Sequence, residues 1–162
     1  MDQFQIRSMQ KKDIETVFQL IYELAVFEKL EHQFTGSAKQ LEKHMFSENP
    51  ILKGLVAEHA SEKKIIGYAL YFYNYSTFLT KPGIYLEDLY VTPNFRNLGI
   101  GKKFLVELGK IAIAENLGRV EWSVLDWNEN AISFYKKMGA DVLPDWRICR
   151  VTGNKIDQLA NS

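Results

Sequence analysis

Apolar positions along this chain follow two rhythms. Over 11–29, Ile14, Val17, Phe18, Ile21, Leu24, Ala25 and Glu28 recur three or four residues apart, so an amphipathic helix is expected whose last turn brings an acid onto the packed face. Residues 37–46 predict a shorter helix with Ser37 as its N-cap. Ile100, Phe104, Leu105, Leu108, Ile111 and Ala112 mark a third over 100–116, ending near Gly118. Ala131, Phe134, Tyr135 and Met138 mark a fourth, between Asn128 as N-cap and Gly139 as C-cap. Alternating or continuous apolar runs predict strands at 4–8, 52–60, 64–76, 83–91, 119–127 and 146–152, with residues 62–64 turning a hairpin. The resulting order, β-α-α-β-β-β-α-β-α-β, is that of an α/β protein with a mixed sheet and crossover helices.

At 162 residues, with 46 % apolar and 25 % charged positions and no repeat or low-complexity linker, the chain reads as one domain, 1–162. Twenty Lys and Arg balance twenty Asp and Glu. That balance argues against a general nucleic-acid or membrane-surface binder while leaving room for a local acidic pocket. The N-terminal stretch is mixed in charge and lacks the apolar segment of a signal peptide, and no run is long enough to span a bilayer. A cytoplasmic protein is expected. Cys149 is the sole cysteine and reads as a small buried residue. His32, His44 and His59 are scattered without metal spacing and read as surface or loop residues, so no metal is expected. The aromatic run at 68–78 reads as a sheet strand and a dimer surface rather than a base-stacking platform.

The stretch Arg96-Asn97-Leu98-Gly99-Ile100-Gly101 starts a helix with two poor helix formers. A P-loop would need glycine at 96 and Ser or Thr at 103, where Arg96 and Lys103 stand. A dinucleotide fingerprint would need a third glycine where Phe104 stands. The remaining readings are a tight turn without a ligand, or a loop whose exposed amides hold a pyrophosphate at a helix N-terminus. In the second, Arg96, Lys102 and Lys103 add positive charge.

The loop follows the strand segment "IYLEDLYV" and resembles the [Q/R]-x-x-G-x-[G/A] signature of the GNAT acetyltransferase superfamily. "WNENAISFYKKMGA" (127–140) resembles its second signature, N-x-x-A-x-x-[F/L]-Y-x-x-x-G-[F/A]. Within the superfamily, "ELAVFEKLEHQ", "YLEDLYV" and both signatures look like the diamine (spermidine/spermine) N-acetyltransferase family, and most like its thialysine Nε-acetyltransferase branch. The resemblance implies a GNAT fold of six to seven strands and about four helices, acetyl-CoA as donor, a small primary amine as acceptor, and a homodimer.

Acetylating an amine requires a base, because an alkyl ammonium ionises near pH 10. Glu87 is the candidate. Strand alternation sets it on one face with Tyr85, Leu89 and Val91, apolar surroundings that would raise its pKa, and sets Asp88 on the other. The family's pattern also has its catalytic glutamate here. Tyr135 matches the family's general acid for the coenzyme thiolate, and it also lies on the packing stripe of its helix. The resemblance further implies that Leu89, Tyr90 and Val91 bond the pantetheine arm, beside a strand that splays from its parallel neighbour. Residues Arg96, Asn97, Leu98, Gly99, Ile100, Gly101 and Lys102 would hold the pyrophosphate, and Asn128, Glu129, Asn130, Ala131 and Tyr135 would shape the channel. The family's amine contacts fall on Phe27, Glu28, Glu87, Glu121, Trp122 and Ser123, with Glu31 a further acid near the end of the first helix.

Departures from the polyamine pattern concern the acceptor. Ser76 stands where that branch carries an acid, Lys81 adds the opposite charge, Leu125 matches the thialysine branch, and the segment before Trp146 holds fewer acids. These favour a short, lysine-like amine over spermidine or spermine. Other readings are an acetyl-CoA-binding sensor module and a protein or peptide acetyltransferase.

Overall fold

Five strands pair in the order β1-β2-β3-β4-β5 in the computed structural model, which describes residues 3–162. They are β1 (Phe4–Ser8), β2 (Lys53–His59), β3 (Ile65–Ser76), β4 (Lys81–Val91) and β5 (Val120–Trp122). The first four are antiparallel to their neighbours, and β5 joins β4 in parallel. Helices α1 (Ile14–Phe27), α2 (Ala38–Phe46) and α3 (Ile100–Ala114) complete a compact unit that ends at Ser123. The second unit, Val124–Ser162, carries α4 (Glu129–Lys137) and α5 (Asn154–Ala160).

The sheet separates two apolar layers. Ile100, Phe104 and Leu108 of α3 pack on one face, against Leu55, Ala57, Ile66, Ala69, Tyr71, Ile84 and Leu86. Ile14, Val17, Leu20 and Leu24 of α1, with Met45 of α2, pack on the other, against Val56, Tyr68, Leu70 and Tyr90. Continuous burial through the first half of β3 follows from these two covered faces. Gly67 lets β3, β4 and α3 meet: a Cβ there would lie 2.8 Å from the Tyr90 carbonyl oxygen.

The helix caps match the sequence. Ser37 Oγ accepts from the Gln40 N–H at 3.3 Å, Asn128 Oδ1 accepts from the Ala131 N–H at 3.2 Å, and Gly139 ends its helix at φ +89°. Four expectations fail. The strand expected at 119–127 stops at Trp122, because the chain turns at Asp126 and Trp127 before the Asn128 cap. Residues 146–152 form no strand: alternation is present, but Trp146 and Ile148 are exposed, so no apolar face is buried to hold one. A helix, α5, follows instead. Cys149, within this irregular stretch, is exposed rather than buried. His59 lies at the end of β2, its ring 5.4 Å from that of Phe95, so it is neither a loop nor a free surface residue.

One ion network anchors the start of the chain to the sheet. Arg7 of β1 donates to both Asp13 oxygens at 2.7 and 3.0 Å, and to Glu58 Oε2 from Nε and Nη2 at 2.9 and 2.7 Å. Burial pushes the Asp13 carboxyl up, but its hydrogen bonds from Arg7 and the Gln10 N–H outweigh that and hold it below its ordinary value. The Arg7 hydrogen bonds likewise hold Glu58 low, and the Arg7 guanidinium is raised in turn. Carboxylates depressed in the fold stabilise it above their unfolded pKa, near 4, and lose that contribution as pH falls through the folded values. We therefore expect Arg7→Leu, which strands two largely buried acids, to cost about 3 kcal/mol at pH 7 by denaturant unfolding, with the difference from wild type shrinking below pH 4.

Candidate active site

A single extra residue in β4 shapes the centre of the first unit. Tyr71 pairs with Leu86 and Leu70 pairs with Asp88, so Glu87 is a β-bulge. The bulge reverses the facing of every later side chain. Ile84 and Leu86 point toward α3, and beyond the bulge Leu89 and Val91 do so, while Tyr90 packs in the α1 layer. The face expected for Tyr85, Glu87, Leu89 and Val91 therefore does not exist. Glu87 is exposed at the bulge, and Asp88 is the acid drawn into the α1 side.

Asp88 has the environment that the sequence assigned to its neighbour. Burial, reinforced by Glu87 and Glu28, pushes its carboxyl up to about 7. Glu28, just beyond α1, is raised by burial as well. Tyr68 lies diagonally across the ladder from Asp88, fully buried, and its hydroxyl has no hydrogen-bond partner. Burial, then the charges of Asp88 and Glu28, raise the Tyr68 phenol well above its usual value. Tyr90 donates to Glu23 at 3.1 Å. Among the described residues no lysine or arginine forms an ion pair with Glu28, Glu87 or Asp88. Such an unmatched acidic group favours a cation beside it. Glu31 lies in an exposed turn, Glu31–Gln33.

The ladder between β4 and β5 ends at the same place. It joins Ile84 to Val120, Tyr85 to Glu121 and Leu86 to Trp122, and goes no further. Among the described residues no strand pairs with β4 on that side from Glu87 onward. The next segment leads through a turn at Pro93–Phe95 to the glycine loop, where Asn97 and Gly99 adopt φ +63° and +81°. Space does not explain the glycine at 99, since nothing lies within 4 Å of where its Cβ would be; the left-handed backbone favours it. Lys103 makes the first amide bond of α3, to the Gly99 carbonyl, and the cap supplies no side-chain acceptor. The amides of Ile100, Gly101 and Lys102 thus remain as donors at the positive end of a 15-residue helix, a setting suited to a phosphate group. Leu98 is exposed in the loop, as is Lys102 at the start of α3.

Two cations expected at the loop are turned away from it. Arg96 lies over the rings of Phe27 and Tyr90, at 5.0 and 5.5 Å, and its Nε donates to the Val91 carbonyl at 3.0 Å. Lys103 lies 4.8 Å from the Phe4 ring.

Of the residues expected at the amine, Phe27 and Glu28 end α1 and lie near Tyr90 and Asp88 respectively. Glu121 is engaged by Asn74 Nδ2 at 3.2 Å and by Arg119 at 3.6 Å, which offsets its charge. Trp122 is half-buried on β5, and Ser123 Oγ lies 2.8 Å from the Tyr85 hydroxyl. Ser76 is buried, and its Oγ accepts from the Leu79 N–H at 3.3 Å, closing the β3–β4 hairpin. It lies six β3 residues from the Leu70–Asp88 pair, roughly 20 Å of strand.

In the second unit, Asn128 caps α4 and aligns Glu129, Asn130 and Ala131 in its first turn. Tyr135 is half-buried on that helix, its ring 5.3 Å from that of Phe134.

The architecture is a known one. An integron cassette protein from V. cholerae superposes with a TM-score of 0.80 over 99 % of both chains, at 26 % identity. Thialysine N-epsilon-acetyltransferase of Mus musculus is 37 % identical over 96 % of each chain. L-ornithine N5-acetyltransferase NATA1 of Arabidopsis thaliana is 30 % identical over 95 % of this chain and 86 % of its own. The model of the acetyltransferase (GNAT) family matches residues 18–140. Family match, sheet and helix-start loop agree, and the chain belongs to the GNAT acetyltransferases, enzymes of class EC 2.3.1.

Proposed function

We propose that this protein moves the acetyl group of acetyl-CoA onto the terminal primary amine of a short diamino compound, of the thialysine, lysine or ornithine type. One observation carries the reading: an acidic group without a counter-cation, Glu28, Glu87 and Asp88, adjoins the point where β4 loses its parallel neighbour and runs toward a loop of orphan amides. Anion-binding amides suit the coenzyme, and the acids suit an alkylammonium. The two curated relatives support the acceptor, since both are named for acetylating a side-chain amine of a diamino acid. The match of Leu125 to the thialysine branch supports the short acceptor, whereas Ser76, buried in the β3–β4 hairpin roughly 20 Å of strand from Asp88, has no bearing on it.

In the proposed reaction, the orphan amides of Ile100, Gly101 and Lys102 and the loop from Arg96 to Gly99 hold the pyrophosphate. The free side of β4 at Leu89, Tyr90 and Val91 bonds the pantetheine arm and polarises the acetyl carbonyl. The start of α4, from Asn128 to Ala131, shapes the channel. Phe27, Glu28 and Asp88 hold the cation, with Glu121, Trp122 and Ser123 bordering it. Glu87, exposed at the bulge, accepts a proton from the ammonium, directly or through water. The neutral nitrogen attacks the thioester carbon; a C–N bond forms, the C–S bond breaks, and the nitrogen sheds its second proton to solvent. Tyr135 then protonates the departing thiolate. We place the enzyme in the cytoplasm as a homodimer, the aromatic β3 surface forming part of the subunit contact.

Thiol release from acetyl-CoA with thialysine, lysine, ornithine, putrescine and spermidine tests the acceptor. Diamino acids are expected to give the highest kcat/KM. Dominant spermidine turnover would refute the short-amine reading, and CoA binding without any amine turnover would favour a sensor. Glu87→Gln is expected to lower kcat by about 10²-fold or more while leaving CoA affinity within about twofold.

Asp88 supplies a pH test. With its carboxyl near 7 it is mostly neutral at pH 6 and mostly charged at pH 8. Amine affinity for the enzyme–CoA complex, read by calorimetry, should rise up to about tenfold over that interval, and Asp88→Asn should abolish the rise.

A further inference from the structure

Arg96 opens the loop assigned above to the coenzyme, yet its side chain leaves that loop. Its guanidinium faces the ring of Phe27, the last residue of α1, and the ring of Tyr90 on β4, while Nε donates to the Val91 carbonyl. The loop needs such an anchor. Asn97 and Gly99 are both left-handed, and among the described residues no hydrogen bond is donated by the amides of Asn97, Leu98 or Gly99. The turn upstream is closed by Phe95 N–H to the Thr92 carbonyl and Arg96 N–H to the Pro93 carbonyl, and the helix downstream is closed by Lys103 N–H to the Gly99 carbonyl. Between these closures the loop makes no backbone hydrogen bond of its own. Its shape is set from both ends, and at the N-terminal end the fixing contacts belong to one side chain.

The geometry points to Arg96 as a positioning residue that joins the coenzyme loop to the end of α1, with the ring face of Phe27 as its far anchor. This rests on reading the loop as the acetyl-CoA site. Phe27 then has a role beyond bordering the amine. It holds the coenzyme loop in its binding shape before any amine arrives. Lysine would not replace Arg96. Its single ammonium group cannot lie flat over two rings while an N–H at the base of the guanidinium donates sideways to a carbonyl.

The test is binding of CoA alone, in the absence of amine, by calorimetry on the full chain. Phe27→Leu keeps apolar volume and removes the ring face, and Arg96→Lys keeps the charge and removes the plane. Each is expected to weaken CoA binding about fivefold. The double variant should be no weaker than Arg96→Lys alone, within about twofold, because both changes break one contact. Phe27→Tyr, which restores the ring, should bind CoA as wild type does. Wild-type affinity in Phe27→Leu, or fully multiplicative losses in the double variant, would overturn the inference while leaving the coenzyme site standing. Failure of the wild-type chain to bind CoA would overturn both. Thermal unfolding of each variant separates a lost anchor from a lost fold: the expected loss of affinity occurs in chains that still unfold cooperatively above the assay temperature.

Discussion

The bulge at Glu87 is the constraint on which the rest of the site depends. One residue inserted into β4 changes which side chains face α1 and which face α3, and it lies where pairing with β5 ends. Without it, Asp88 would share a face with Ile84 and Leu86 and would enter the apolar layer under α3. With it, two consecutive acids have different surroundings. Glu87 meets solvent, and Asp88 meets Tyr68, Glu28 and the interior. A pair of like groups placed in unlike environments can divide the work of holding and deprotonating a cation between them.

The electrostatics follow from that arrangement. The chain carries no net charge, so attraction for a cation has to be local, and it arises from the absence of counter-ions around three acids rather than from an excess of acids overall. The contrast with Arg7 is instructive. There, Asp13 and Glu58 are matched by a guanidinium and held ionised, which stabilises the fold. Asp88 is left unmatched, which costs stability at neutral pH and suits the ammonium proposed above.

Much of this was legible in the sequence. The helical stripes of α1, α3 and α4, the caps at Ser37 and Asn128, the glycine loop before α3 and the two family signatures follow from local periodicity, side-chain chemistry and motif spacing. The roles of Asp88 and Tyr68 could not be read there. Strict alternation assumes an unbroken pleat, and no local residue preference announced that the ladder would slip by one at Glu87. The strand expected at 146–152 failed for a related reason: its pattern suited a ladder, but pairing is a property of two segments. Arg96 shows the same limit. Its type and position fitted a phosphate ligand, whereas its guanidinium lies over Phe27, distant in sequence.

The brevity of the β4–β5 ladder has a consequence for how firmly each part of the sheet is held. Three parallel rungs secure β5, whereas ten paired positions join β3 to β4. Local opening therefore begins at the outer strand and requires far less than unfolding of the whole unit. The amides of Val120, Glu121 and Trp122 would trade their protons for solvent deuterium well before those of the β3–β4 hairpin. The outer strand can breathe while the strand bearing Glu87 and Asp88 stays fixed, so an acceptor of the kind proposed above would enter without disturbing the groups that receive it.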